Sequence, residues 1–265
     1  MKLPVSIINA FTQRVFGGNP AAVCPLETWL PDATLQAIAE QHNLAETAFT
    51  VPLDAPGSYH LRWFTPAVEV PLCGHATLAA AHVLFAAHPT LETLRFHTLS
   101  GWLTVIRAAD RLTLDFPART LVQPAPKPVV DALFPSALEA WVDSATNLFV
   151  ILPTEAAVKA LTPDLPLLAR HPYHGAIITA PGDTVDFVSR FFAPALGVPE
   201  DPVTGSAHCT LTPYWATRLG KPTLTARQVS RRGGELWVHS AGERVHISGH
   251  ARTYATGIID LPELA

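Results

Sequence analysis

Glu200-Asp201-Pro202-Val203-Thr204-Gly205-Ser206-Ala207 reads E-D-P-V-T-G-S-A, and an earlier stretch answers it. That stretch runs Phe64-Thr65-Pro66-Ala67-Val68-Glu69-Val70-Pro71-Leu72-Cys73-Gly74-His75-Ala76. The later copy is led by Phe192-Ala193-Pro194-Ala195-Leu196-Gly197-Val198-Pro199. Each copy has the frame F-x-P-A, a short spacer, a glycine beside a small or polar residue, and then a helix-favouring run. Two copies of one device imply two similar lobes, each presenting a helix N-terminus to a shared cleft.

The rest of the chain is compatible with that reading. A length of 265 residues suits one large domain or two of about 130 residues. Apolar residues make up 48% and charged residues 15%, the mix of a well-cored protein rather than a disordered one. A net charge of −4 provides no basic face, which argues against nucleic acid as a partner. The longest apolar runs, Ala76–Ala81 and Val83–Ala87, are interrupted by His82 and are too short for a membrane span. Met1-Lys2-Leu3-Pro4-Val5 leads straight into a strand-like pattern, without the layout of a signal peptide. Cys24, Cys73 and Cys209 are odd in number and far apart, so no disulfide framework is expected. A soluble cytoplasmic protein is the expectation.

Twenty-five prolines and 15 glycines favour many short strands over long helices. Apolar alternation marks strands at Val5–Ala10, Ala48–Val51, Tyr59–Phe64, Leu94–Thr98, Leu103–Arg107 and Leu112–Asp115. A second series follows at Leu148–Leu152, Ala176–Thr179, Phe187–Phe192, Leu236–His239 and Val245–Ser248. Helices are expected at Asp32–Gln41, from Gly74 through Phe85, at Glu155–Leu161 and at Ser206–Leu219, the last with Pro213 near its first turns or just after a break. Between the two series, Thr120–Val129 carries alternating Pro124, Pro126 and Pro128 and reads as a stiff linker. The boundary is therefore placed between lobes 1–120 and 121–265, with the last strand a candidate to return to the first lobe.

The chemistry-bearing residues gather on the repeated device. Gly74-His75 and Thr204-Gly205-Ser206 precede helical runs, where unpaired N–H groups and the macrodipole favour an anion. Ordinary capping by Thr204 or Ser206 explains the hydroxyls equally well; the duplication is what points to function. Glu46, in Asn43-Leu44-Ala45-Glu46-Thr47-Ala48-Phe49, sits among groups that solvate a carboxylate poorly. Burial there would raise its pKa toward the working range of a general acid–base, although a surface glutamate at a helix–strand junction fits too. Glu69 and Glu200 are weaker candidates of the same kind. His75 and Asp201 are the other titratable groups on the two loops, and a carboxylate beside a histidine holds the ring charged or fixes its tautomer. Cys73/His75 and His208/Cys209 lack paired zinc-ligand spacing, so no metal is expected. G-x-S-x-G, the phosphate-binding P-loop and G-x-G-x-x-G are all absent.

Taken in order, these motifs resemble the phenazine-biosynthesis isomerase-like (PhzF-like) family, which has the diaminopimelate epimerase fold. The matching pieces are Asn9–Thr12, Phe16–Val23, Asn43–Phe49, Arg62–Pro66, Leu72–Thr77, Glu200–Ala207, Gln228–Glu235 and Ser248–Ala251. The resemblance implies an α+β protein of two pseudo-symmetric lobes, each a barrel-like, mostly antiparallel sheet around a central helix, with the active site between them. It further implies a homodimer and an isomerase without metal or cofactor, in which Glu46 shuttles a proton on a small carboxylate substrate. His75 and Asp201 would share that work, and Gly74, Gly205 and Ser206 would help to hold the substrate. One departure bears on mechanism: racemising relatives place a cysteine at the start of each central helix, whereas this chain has Cys73 at the first and Val203-Thr204-Gly205 at the second. A two-thiol epimerase is thereby disfavoured. Two alternatives stand beside the isomerase: a racemase or epimerase opposing Glu46 to Cys73, and a non-catalytic small-anion-binding module.

Overall fold

The computed structural model describes residues 1–261. The chain forms two compact units, one of Met1–Asp115 together with the segment from Ser248, the other of Phe116–Ile247. The first begins with β1 (Lys2–Ala10), β2 (Asn19–Pro25), α1 (Asp32–His42), β3 (Glu46–Pro52), β4 (Ser58–Phe64) and β5 (Glu69–Val70). It continues with α2 (Gly74–Ala87), β6 (Thr93–Thr98), β7 (Gly101–Ala108) and β8 (Arg111–Pro117). β1 and β2 pair antiparallel, β2 and β3 parallel, β3 and β4 antiparallel, and β4 and β6 parallel. β6–β7–β8 form an antiparallel meander, and the two-residue β5 also pairs with β4.

α2 is the centre of this unit. Its sequence, GHATLAAAHVLFAA, contains no Asp, Glu, Lys or Arg, and its buried residues run from Gly74 through Ala81 and on to Leu84 and Phe85. A helix apolar all round has to be enclosed, and α2 packs against β1, β2 and β3. α1 covers their other face, where Leu35 and Ile38 meet Cys24, Phe49, Val51 and Phe64. With helices on both faces, β2 and β3 are buried nearly throughout and form the parallel pair, as parallel strands usually require. The turn from β1 into β2 depends on Gly18, with φ of +65°; a Cβ there would lie 2.2 Å from the carbonyl oxygen of Ala10.

The second unit repeats this strand order. Its elements are β9 (Leu121–Pro124), α3 (Lys127–Leu133), β10 (Glu139–Asp143), β11 (Leu148–Ile151), α4 (Glu155–Ala160), α5 (Leu165–Leu168) and β12 (Ala176–Pro181). They continue with β13 (Phe187–Ala193), β14 (Val198–Asp201), α6 (Gly205–Leu219), β15 (Thr223–Gln228), β16 (Gly234–Ala241) and β17 (Arg244–Gly249). β10–β11 pair antiparallel, β11–β12 parallel, β12–β13 antiparallel and β13–β15 parallel, with β14 on β13 as β5 is on β4. α6 takes the place of α2, and β15–β16 that of β6–β7. α3, α4 and α5 cover the sheet from outside through Leu133, Val158 and Leu168. Finally β18 (Ala251–Asp260) pairs along the whole of β1, which makes it part of the first unit.

Two sequence expectations are corrected here. Residues 120–129 are not a linker: β9 pairs with β10, and α3 starts at Lys127 with Pro128 in its first turn, where a missing N–H costs nothing. Pro213 neither starts nor breaks a helix; α6 runs through it. The carbonyl of Cys209, which Pro213 cannot serve, accepts the N–H of Arg119 at 2.9 Å instead, so the usual penalty of an interior proline is partly relieved. Among the described residues no helix is long and apolar enough to cross a membrane.

Candidate functional site

The same clamp prepares each central helix. On β4 the Arg62 guanidinium grips Glu69 of β5 through two contacts of 2.7 Å and lies over the ring of Phe64. On β13 Arg190 grips Glu200 of β14 at 2.7 and 3.0 Å and lies over Phe192. In both units the helix begins with glycine five residues beyond the clamped glutamate, at Gly74 and Gly205. Glu69 and Glu200 are therefore held as bidentate partners of arginine, which removes them as acid–base candidates. The N-cap residues are Cys73 and Thr204, both extended and neither giving a side-chain capping bond. Ser206 lies inside the first turn, so capping accounts for neither hydroxyl.

In the first unit Glu46 opens β3, placed after the left-handed Asn43 that ends α1. His75, in the first turn of α2, is buried with its Nε2 3.1 Å from Oε2 of Glu46. The approach is an ion-pair contact without hydrogen-bond alignment, and these two buried atoms have no hydrogen bond. Nδ1 of the same ring lies 3.5 Å from Sγ of Cys73. Burial pushes the Cys73 thiol up to about 11, with the Glu46 carboxylate adding to the effect, so the sulfur is a neutral thiol near pH 7. Burial alone would lower the His75 pKa, but the Cys73 sulfur and the Glu46 carboxylate more than offset it and hold the ring well above its ordinary value. The sequence had placed the carboxyl of Glu46 among apolar groups only; the histidine is what spacing could not show.

In the second unit Asp201 ends β14, and its Oδ2 accepts the Thr204 hydroxyl proton at 2.6 Å. Gln228, wholly buried at the end of β15, braces this turn. Its Oε1 accepts the Thr204 N–H at 2.8 Å, while Nε2 donates to the Asp201 carbonyl at 2.8 Å and to Thr204 Oγ1 at 3.1 Å. In the sequence Gln228 only opens the family-like stretch Gln228–Glu235, and nothing local marks it as the brace of this turn. Ser206 is half-buried in the next turn, its carbonyl 3.4 Å from Arg119 Nη1. His208 donates Nδ1–H to the Thr204 carbonyl at 2.8 Å and is fully buried.

Among the described residues one trio of possible metal ligands lies close together, Glu46, Cys73 and His75. The His75 ring turns one nitrogen to the sulfur and the other to the carboxylate, so a single ion could not take both contacts through that ring.

A model of the phenazine biosynthesis-like proteins matches residues 8–257. The chain belongs to that family. An uncharacterized isomerase of Pseudomonas aeruginosa is 52% identical across 98% of this chain and 100% of its own length. A solved PhzF-family structure from Enterococcus faecalis is 47% identical, with a TM-score of 0.92 over 98% of this chain and 100% of that one. A hydroxyproline epimerase from Agrobacterium vitis is 11% identical with a TM-score of 0.62, covering 97% of this chain and 92% of its own. That last likeness is one of fold alone. The α+β fold is thus one that solved epimerase structures share.

Proposed function

We propose that the protein is an isomerase that moves a proton between carbons of a small carboxylate, with Glu46 as the general acid–base. One observation carries this reading: Glu46 Oε2 and His75 Nε2 are buried, 3.1 Å apart, and without a hydrogen bond, beside a helix N-terminus that no side chain caps. Glu46, with His75 Nε2 3.1 Å from its Oε2, takes a proton from an acidic C–H. The electron pair left on carbon delocalises through the substrate, and the first-turn N–H groups and imidazolium favour the charge that develops. Protonated Glu46, whose acid proton can exchange with solvent before delivery, then gives a proton to a different carbon, so the reaction is redox-neutral and consumes no co-reactant. Asp201, Gly205 and Ser206 are proposed to hold the substrate's carboxylate and its amino or hydroxyl group. The homodimer implied by the family resemblance belongs to the same proposal.

The test is proton NMR in D₂O on a panel of small amino, hydroxy and cyclic unsaturated carboxylates, with wild type and Glu46→Gln. Deuterium should enter one compound with wild type and at least ~100-fold more slowly with the variant. Equal rates in the two proteins would remove Glu46 from the mechanism. Binding without exchange would favour the small-anion-binding module. The epimerase alternative, with Cys73 opposed to Glu46, is separated by Cys73→Ala, which should retain exchange if the thiol only packs against His75.

A further inference from the structure

Away from this site, the outward face of the first unit's sheet carries a row of rings. His60 on β4 and His97 on β6 occupy matched positions of the parallel ladder, and both fall on the outward phase of the burial alternation. Their Nδ1 atoms face each other at 3.3 Å, with the rings in an edge-on arrangement. Trp29 stands beside His60, and Trp102, the cross-strand partner of His97, stands beside the other ring. Each indole is covered in turn by a guanidinium, Arg62 over Trp29 and Arg95 over Trp102. Both imidazoles are thus supported from outside and directed at one another.

We propose that His60 and His97 form a divalent transition-metal site of the zinc or copper class, joined through their two Nδ1 atoms. With metal–nitrogen bonds of about 2.0–2.1 Å, two ligands at a tetrahedral angle lie about 3.3 Å apart, which is the separation observed. Imidazole is a ligand shared by zinc, copper and nickel. Without metal the gap is bridged by one proton, donated by one Nδ1 and accepted by the other; when an ion takes the gap, the donor ring shifts to its Nε2–H tautomer, so both rings bind as neutral ligands through Nδ1. The adjacent Arg62 charge is matched by Asp32 and Glu69, which limits its repulsion of an incoming cation. His97 is exposed and His60 partly so, which leaves room for water to complete the coordination. The second ligation is intramolecular once the first has formed, so the pair should bind far more tightly than either ring alone.

The experiment is isothermal titration of the intact protein with ZnCl₂ in a non-coordinating buffer, for wild type, His60→Ala, His97→Ala, His239→Ala and Cys73→Ala. His239 belongs to a second histidine pair, stacked on His246, and Cys73 to the buried trio, so these two variants locate competing sites. Wild type, His239→Ala and Cys73→Ala should bind one equivalent alike, while His60→Ala and His97→Ala bind it at least ~10-fold more weakly. Wild-type affinity in His97→Ala, or wild-type binding no stronger than that of a single imidazole, overturns the proposal. So does loss of the site in Cys73→Ala, which would put the ion against Glu46 and His75.

Discussion

Protonation of His208 should be a principal acid weakness of the second unit. The residue lies in the first turns of α6, wholly buried, with its ring tilted against Phe187 at 5.9 Å. Nδ1–H is committed to the Thr204 carbonyl, and buried Nε2 has no hydrogen bond, so the neutral tautomer is the one the fold accommodates. Burial pulls the pKa from 6.5 down to about 4, only partly opposed by the bond to Thr204. Between those two values the unfolded chain binds the proton and the folded one does not. Stability therefore rises with pH across this window and falls as acid is added from about 6.5 toward 4. At about 1.4 kcal/mol per pH unit, a fall to about 4 corresponds to roughly 3 kcal/mol, fully expressed only below the folded pKa. His208→Asn keeps a donor where Nδ1 was and abolishes titration. Urea unfolding of both proteins at half-unit steps from pH 7.5 to 4 isolates the residue, because acid loss of ion pairs such as Lys221–Asp186 occurs in both. The gap between the two curves should change by about 3 kcal/mol to the disadvantage of wild type as pH drops. Parallel curves would show that the imidazole is not buried neutral and would refute the reasoning.

Other substitutions probe the scaffold and the site. Gln228→Leu strips the partners from the Thr204 N–H and the Asp201 carbonyl and should cost about 2–4 kcal/mol in urea unfolding; a change below half of that would mean water replaces the amide. Gly18→Ala places a Cβ against the Ala10 carbonyl at a positive φ and should cost more than about 2 kcal/mol, read as a lowered unfolding midpoint. Pro213→Ala should be close to neutral, not stabilising by the ~3 kcal/mol an interior proline normally costs, because the Cys209 carbonyl already has the Arg119 N–H. Cys73→Ala should leave near-UV circular dichroism and deuterium exchange at wild-type levels, since a thiol pushed up to about 11 is not an acid–base near pH 7.

What the sequence disclosed follows the physics of each segment. Strands with one solvated face, such as β6 and β8, alternate strictly and are readable from period alone. β2, Asn-Pro-Ala-Ala-Val-Cys-Pro, is buried on both faces and framed by prolines, so nothing alternates and no strand signal appears. β18 fails in the opposite way, being exposed along almost its whole length and held by its pairing with β1. The prolines of 120–129 suggested a spacer because local stiffness is visible in sequence, while the pairing of β9 with β10 is a tertiary fact. Within the site, the glycine–helix starts were legible from the repeated frame. The contact of Glu46 with His75 joins the first residue of β3 to the first turn of α2, and no periodicity reaches across that gap.

The repeat also separates scaffold from chemistry. Counting from the clamped glutamates, Val70 corresponds to Asp201, Cys73 to Thr204, His75 to Ser206 and Thr77 to His208. The last pair does the same work with different groups, since Thr77 Oγ1 bonds the Cys73 carbonyl as His208 Nδ1 bonds that of Thr204. The clamps, the glycines and these first-turn bonds are what two copies share, and they suffice to build a helix N-terminus at a fixed place. Titratable or hydroxyl groups differ at the intervening positions. One copy has an imidazole in contact with a glutamate of the neighbouring strand, and the other has a carboxylate bonded to a threonine that a buried amide orients. A structural role alone would be met by the same residues twice. Unlike polar groups set on two like frames therefore mark the positions where the two copies depart from their shared scaffold.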